Sequence, residues 1–175
     1  METMTKTVWA VDPTHSEISF KVKHMMISTV RGFFKSFDAK IEASEEDLSD
    51  AQFSFSADID SVSTNNEDRD NHLKSDDFFN AEAYPKMTFE STSFDGEKIT
   101  GNLTIRDVTK EITLDADISG IAVDPYGQTK VGIEISGEIN RKDFGLTWSA
   151  VTEAGNVVVS DKVKLIAEVQ FVKQQ

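Results

Sequence analysis

The sequence predicts an all-β domain in which eight or nine long antiparallel strands close into a barrel or pack as a sandwich, with one inserted helix. Three observations predict it. Apolar and polar residues alternate with period two over most of the chain, the mark of half-buried strands. Turn residues punctuate the joints between the alternating runs. One stretch, about 65–77, abandons period two for helical signals. With 175 residues, no internal repeat and no low-complexity linker, the chain reads as a single domain, 1–175.

The elements follow in order. After a short strand at Thr7 to Val11, Ile18, Phe20 and Val22 alternate with Ser19, Lys21 and Lys23. A strand region covers Val30 to Ile41, and Phe53, Phe55, Ala57 and Ile59 give the next face. Met87 and Phe89 sit among polar neighbours, and Ile99, Gly101, Leu103 and Ile105 keep the same spacing. Ile112 to Ile118, Val131 to Ile139 and Val163 to Phe171 complete the set. Several runs are long enough to reach about 30–40 Å at roughly 3.3 Å per residue. Asp12-Pro13, Asp95-Gly96, Asp124-Pro125-Tyr126-Gly127 and Ala154-Gly155-Asn156 read as turns, and His24 to Ser28 as a single helical turn.

The helix signal starts at Thr64-Asn65-Asn66-Glu67, which fits a capping box closed by Thr64 and Glu67. Asp68 adds negative charge where the helix dipole favours it. Arg69, His72 and Leu73 lie at i, i+3 and i+4 and so share one face. Phe78-Phe79 and Tyr84-Pro85 lead back into a strand.

Composition excludes several functions. Eighteen Lys+Arg against 31 Asp+Glu give a net charge of −13, which argues against sequence-independent binding of nucleic acid or an anionic membrane surface. The absence of Cys removes disulfides, thiolate nucleophiles and cysteine metal sites. No apolar run reaches the length of a membrane helix, and Met1 to Thr7 lacks a signal-peptide core, so the expected compartment is the cytoplasm. His15, His24 and His72 have no metal-ligand spacing, and no metal or cofactor is expected. Asp115-x-Asp117-x-Ser119-Gly120 imitates a calcium loop but alternates as a strand and carries Tyr126 where the bidentate Glu belongs. Nucleophile-elbow, phosphate-loop and dinucleotide fingerprints are missing, and Asp76-Asp77 reads as a helix end; catalysis is not expected.

Twelve Phe, two Trp and five Met with only two Tyr make a strongly apolar set. The inward-reading residues Phe20, Phe53, Phe55, Phe89, Leu103, Phe144 and Trp148, with Met25 and Met26, either fill the interior or line an apolar pocket. Such a wall suits an elongated apolar ligand, but strand periodicity predicts burial in both cases. The polar cluster is Arg69, Asp70 and His72 on the helix, with Asn140 and Arg141 further on. It either pins the helix to the barrel or meets a polar head group, for which arginine offers a planar fork.

These segments resemble, in order, the YceI-like family, the lipocalin-like polyisoprenoid-binding proteins of bacteria. The likeness runs from about Trp9 to Val172. It is carried by Asp12-Pro-Thr-His-Ser-Glu-Ile-Ser-Phe, His24-Met-Met-Ile-Ser-Thr-Val-Arg-Gly-Phe-Phe, Arg69-Asp-Asn-His-Leu with Ser75-Asp-Asp-Phe-Phe, Tyr84-Pro-Lys-Met-Thr-Phe, Gly101-Asn-Leu-Thr-Ile-Arg-Asp-Val-Thr-Lys and Asn140-Arg-Lys-Asp-Phe-Gly-Leu. The resemblance implies an extended eight-stranded antiparallel lipocalin-like β-barrel with a helix near one end and an apolar tunnel. It also implies a carrier or store for a long isoprenoid or fatty acyl chain, often as a homodimer, and export to the periplasm in many members. His24, Arg69, Asp70, His72 and Arg141 match the family's motifs at the expected head-group end. Asp107 stands where the family's turn carries glycine, which is expected to alter a hairpin and leave the tunnel intact.

Four functions follow. The first is a non-catalytic carrier or store of an isoprenoid lipid, and the second a binder of other lipophiles such as fatty acids or their amides. The third is an enzyme acting on a bound lipid through His72, and the fourth a filled barrel working through its acidic surface.

Overall fold

The computed structural model describes residues 6–24, 27–44, 48–146 and 159–174, with the backbone alone at His24. Among the described residues, period-two alternation becomes eleven strand segments in one antiparallel sheet. They are β1 (Thr7–Val11), β2 (Glu17–His24), β3 (Ser28–Phe34), β4 (Phe37–Ala43), β5 (Gln52–Asp58), β6 (Val62–Ser63), β7 (Lys86–Phe94), β8 (Lys98–Ile105), β9 (Val108–Val123), β10 (Thr129–Asn140) and β11 (Val159–Lys173). Between β6 and β7 comes one helix, α1 (Glu67–Lys74).

The eleven segments make eight ribbons, because three ribbons are bent. β11 pairs along one edge with β10, and along the other with β2 (Ala167 opposite Ile18) and then with β1 (Phe171 opposite Val11). β1 and β2 are therefore one ribbon, bent by a 3₁₀ turn at Pro13–His15. In the same way β2 pairs β3 while β1 pairs β4, and β3 pairs β6 while β4 pairs β5. The bends fall at Lys35-Ser36 and at the 3₁₀ turn Ile59–Ser61. Pairing of β1 with both β4 and β11 closes an eight-stranded up-and-down barrel and removes the sheet edges there.

Two local expectations are corrected, the second at its described ends. Asp12-Pro13 does not separate two neighbouring strands; it kinks one. Asp12 caps the kink, its carboxylate accepting from the Thr14 backbone N–H at 3.0 Å and the Thr14 hydroxyl at 2.6 Å. Of the segment from His24 to Ser28, read as a helical turn, the described ends are strand residues, with β2 and β3 paired up to His24 opposite Ser28, and Met25 and Met26 lie outside the described residues.

The other hairpins close as their turn residues dictate. Asp95 accepts the N–H groups of Glu97 and Lys98 at 2.9 and 2.7 Å, and Asp124 those of Tyr126 and Gln128 at 2.9 and 3.0 Å. These bonds hold both carboxyls below the usual carboxylate range. The stretch Asp115 to Ser119 lies within β9 as an outward and inward alternation, and Ala154-Gly155-Asn156 lies outside the described residues. At the β8–β9 hairpin, φ is +56° at Arg106, so the left-handed residue is Arg106 and Asp107 fits without glycine.

Trp9, Ile41, Leu48 and Val131 are buried at the end of the barrel away from α1. The end that carries α1 holds the candidate site. Among the described residues, no helix is long and apolar enough to cross a membrane.

Candidate functional site

Two cavities lie end to end inside the barrel. The wider, about 220 Å³, sits under α1 and the chain that follows it. Its walls are strand residues of the inward phase, Val22, Val30, Phe34, Met87, Ile105, Ile139, Val163 and Leu165. Its cap is Leu73, Phe78, Phe79 and Leu146. The narrower cavity, about 110 Å³, continues deeper, between Phe53, Phe55, Phe89, Ile99, Leu103, Leu114, Ile135 and Val169 among others. Phe20, Phe34, Met87 and Leu165 belong to both linings and form the waist between them. Together the two volumes fall at the lower end of the ~300–1,000 Å³ typical of small-molecule sites.

The cap is built by local sequence. α1 starts at Asn66, whose side chain accepts from the Arg69 N–H at 3.0 Å. The capping box expected on Thr64 is therefore corrected, because Thr64 is bonded instead to the side chains of Arg69 and Asp70. The Thr64 hydroxyl, buried at 4% exposure, donates to Asp70 at 2.6 Å and accepts from the Arg69 Nε at 2.8 Å. Arg69 Nη2 also donates to the Thr64 carbonyl at 2.8 Å, and Asp70 accepts the Thr64 N–H at 2.7 Å. Beyond Lys74 a run of turns, with Phe79 N–H on the Leu73 carbonyl and Ala81 N–H on the Lys74 carbonyl, folds Phe78 and Phe79 over the cavity. Phe79 meets Phe34 edge-on at 6.0 Å, and Phe34 meets Phe20 at 5.7 Å, so aromatic packing runs from cap to waist.

Arg69, His72 and Leu73 do share a face, and all three line the wider cavity. His72 Nε2 lies 2.8 Å from Asp77 Oδ2, and its ring meets Phe78 edge-on at 5.0 Å. Asp70 turns back onto Thr64 and does not line the cavity. Arg141 is buried at 2% exposure. It donates to the carbonyls of Ser160 at 2.9 Å, Leu146 at 2.6 Å and Val159 at 3.4 Å, with Asp161 3.7 Å away. Burial lowers its pKa and Asp161 opposes the shift. It ties the 3₁₀ turn Arg141–Phe144 to the start of β11.

Phe20, Phe53, Phe55, Phe89 and Leu103 line the cavities. Phe144 is a correction: it is buried at 2% exposure yet lines neither cavity. Strand geometry ends at Asn140, and on the following turn alternation no longer aims a side chain at the lumen. Met25, Met26 and Trp148, with the side chain of His24, lie outside the described residues. Sequence reasoning missed Met87 at the waist, although its period-two phase with Phe89 marks it, and missed Thr64 as the tie of the cap.

A closed antiparallel barrel with a hollow apolar interior and a helical cap places the chain in the class of hollow β-barrels. The YceI-like domain model matches residues 9–171, and the chain belongs to the YceI-like family. A UPF0312 protein of Staphylococcus epidermidis is 39% identical over 166 residues, covering 94% of this chain and 97% of that protein. The crystal structure of a Campylobacter jejuni YCEI protein, 39% identical, superposes with a TM-score of 0.73 over 87% of this chain and 90% of its own. A polyisoprenoid binding domain from Saccharophagus degradans shares the fold at 15% identity, with a TM-score of 0.72 over 95% of this chain and 98% of its own.

Proposed function

We propose that this protein binds a long-chain isoprenoid lipid inside its barrel and carries or stores it without transforming it. The observation that carries this reading is the pair of apolar cavities joined at the waist of Phe20, Phe34, Met87 and Leu165. An elongated chain entering under the cap would run from the wider cavity into the narrower one as Met87 and the rings adjust. Methyl-branched isoprenoids suit a wall of Phe and Met that offers area and adaptable shape with few fixed polar contacts. The name of the Saccharophagus degradans neighbour, a polyisoprenoid binding domain, supports the same ligand class. Burial of ~300 Å² of apolar chain at about 25 cal/mol per Å² gives roughly 7 kcal/mol before the entropy of association is subtracted.

The test is to purify the protein without detergent, extract it with organic solvent and identify the released molecules by mass spectrometry, with native mass spectra alongside. A stoichiometric prenyl species is the expected result. A fatty acyl species would move the function to general lipid binding. A protein that is empty and refuses added prenyl and acyl chains would overturn the reading.

The catalytic alternative rests on His72 and Asp77 at the rim. His72→Ala separates the two: loss of turnover with intact uptake would make the protein an enzyme, and a bound prenyl chain recovered unchanged after incubation favours the carrier.

A further inference from the structure

Three arginines stand at the capped end of the barrel, and their donors are used unequally. Arg69 gives Nε and Nη2 to Thr64 at 2.8 Å each. Arg141 gives Nε, Nη1 and Nη2 to backbone carbonyls. Arg106, at the tip of the β8–β9 hairpin, is different. Its Nε is buried without a hydrogen-bond partner. Its Nη1 reaches the Phe78 and Gly145 carbonyls only at 3.4 and 3.5 Å, beyond the usual N–H···O range of about 2.7–3.2 Å. Its remaining partner, Asp76, lies 3.7 Å away on a side chain that is 87% exposed. Its Cζ stands 5.8 Å from the centre of the Tyr84 ring.

The surroundings place this underused guanidinium at the rim of the wider cavity. Ile105, its chain neighbour, lines that cavity, as does Phe78, whose carbonyl it approaches; Leu146, next to Gly145, lines it too. A molecule of net charge −13 repels an anion at long range, so an anionic ligand needs a local cation with donors to spare. The cations on the lining itself are committed elsewhere: Arg69 donates to Thr64 and Arg141 to backbone carbonyls, while Lys23 donates to Thr29 at 3.1 Å and is exposed, where water competes for its charge.

We propose that Arg106 anchors the anionic end of the bound amphiphile, a phosphate or carboxylate terminating the apolar chain, while the cavities hold the chain itself. This rests on the lipid-binding reading above. The anion takes the planar fork that Phe78, Gly145 and Asp76 fill poorly, with two parallel charge-assisted hydrogen bonds. The preferred ligand class is therefore an anionic amphiphile, not a neutral prenyl alcohol.

The experiment measures binding of geranylgeranyl phosphate, geranylgeranoic acid and geranylgeraniol to the wild-type protein and to Arg106→Gln, Arg106→Lys and Lys23→Gln, with thermal melts reporting folding. Wild type is expected to prefer one or both anions over the alcohol by roughly 10- to 100-fold, as hydrogen bonds to a charged group imply. The phosphate and acid arms identify which anion. R106Q should lose that preference while binding the alcohol unchanged, R106K should retain part of it, and K23Q all of it. Wild type binding all three equally, R106Q keeping the preference, or K23Q losing it would each overturn the anchor and leave the lipid reading standing. Should R106Q fail to fold, R106K and the wild-type comparison decide alone. Wild type binding none of the three would overturn the lipid reading itself, and the anchor with it.

Discussion

The ring of Phe20 lies across Gly32 on the neighbouring strand, so close that a methyl group at 32 would collide with its Cζ and sit 2.5 and 2.8 Å from its Cε atoms. Glycine is thus required at 32 to let Phe20 take its place at the waist between the two cavities. Gly32→Ala must push the ring into the lumen or deform β3. We expect a loss of about 1–3 kcal/mol, the usual scale of overpacking, read as a lower urea midpoint. On a Phe20→Ala background the same substitution should cost far less. Additive costs in that double-mutant cycle would show that the pair is not coupled.

The waist also sets a length limit. Met87 is the flexible member of the group that lines both cavities. Met87→Trp should fill the passage and confine a ligand to the wider cavity. In a series of prenyl alcohols of increasing length, the variant should keep the short members and reject long ones that the wild type takes up. Native mass spectrometry gives the readout, and an unchanged length profile would place the chain elsewhere.

How far this site is legible in the sequence differs residue by residue. The inward phase of Phe20, Phe53, Phe55, Phe89 and Leu103 follows from period two, because a strand fixes which face each side chain takes. Phe144 sits on the turn after Asn140, where that rule stops. The capping box read at Thr64 misplaces the start of α1, because a Thr-x-x-Glu pattern does not distinguish Thr64 from the equally acceptable cap Asn66. Side-chain bonds across the first turn decide it: Thr64 is engaged by both Arg69 and Asp70, five and six residues on, leaving Asn66 to cap. The bend at Asp12-Pro13 looks like any turn until β11 is seen pairing on both sides of it. Arg106 carries no local pattern at all, since its position depends on carbonyls 28 and 39 residues away.

Acid should weaken the first bend. The Thr14 hydroxyl, then His15, whose Nδ1 lies 2.9 Å away, and the Thr14 N–H draw the Asp12 pKa down to about 2. Because the folded pKa lies below the unfolded one, the stabilisation is complete above about pH 4 and is lost as the pH falls towards 2. The shift corresponds to at most about 2 kcal/mol. Asp12→Asn should lower stability at pH 7 and flatten its dependence between pH 4 and 2. Parallel pH profiles for variant and wild type would show that Asp12 does not contribute.

Arg141 offers the contrast to Arg106. Its donors end on the carbonyls of Leu146, Val159 and Ser160, and at 2% exposure no solvent stands ready to replace them. Arg141→Met should leave buried carbonyls unpaired and cost about 2–4 kcal/mol, given ~1–3 kcal/mol for each buried polar group left unsatisfied and partial relaxation of the turn. Arg141→Lys keeps the charge but cannot reach three acceptors with one ammonium, so it should recover only part of the loss. Neither change should alter the ratio of anion to alcohol affinity in the protein that remains folded. Stability falling at Arg141 with selectivity intact, and selectivity falling at Arg106, would separate the arginine that holds the barrel's mouth together from the one that meets the ligand. An unchanged urea midpoint in Arg141→Met would refute the structural role assigned to it here.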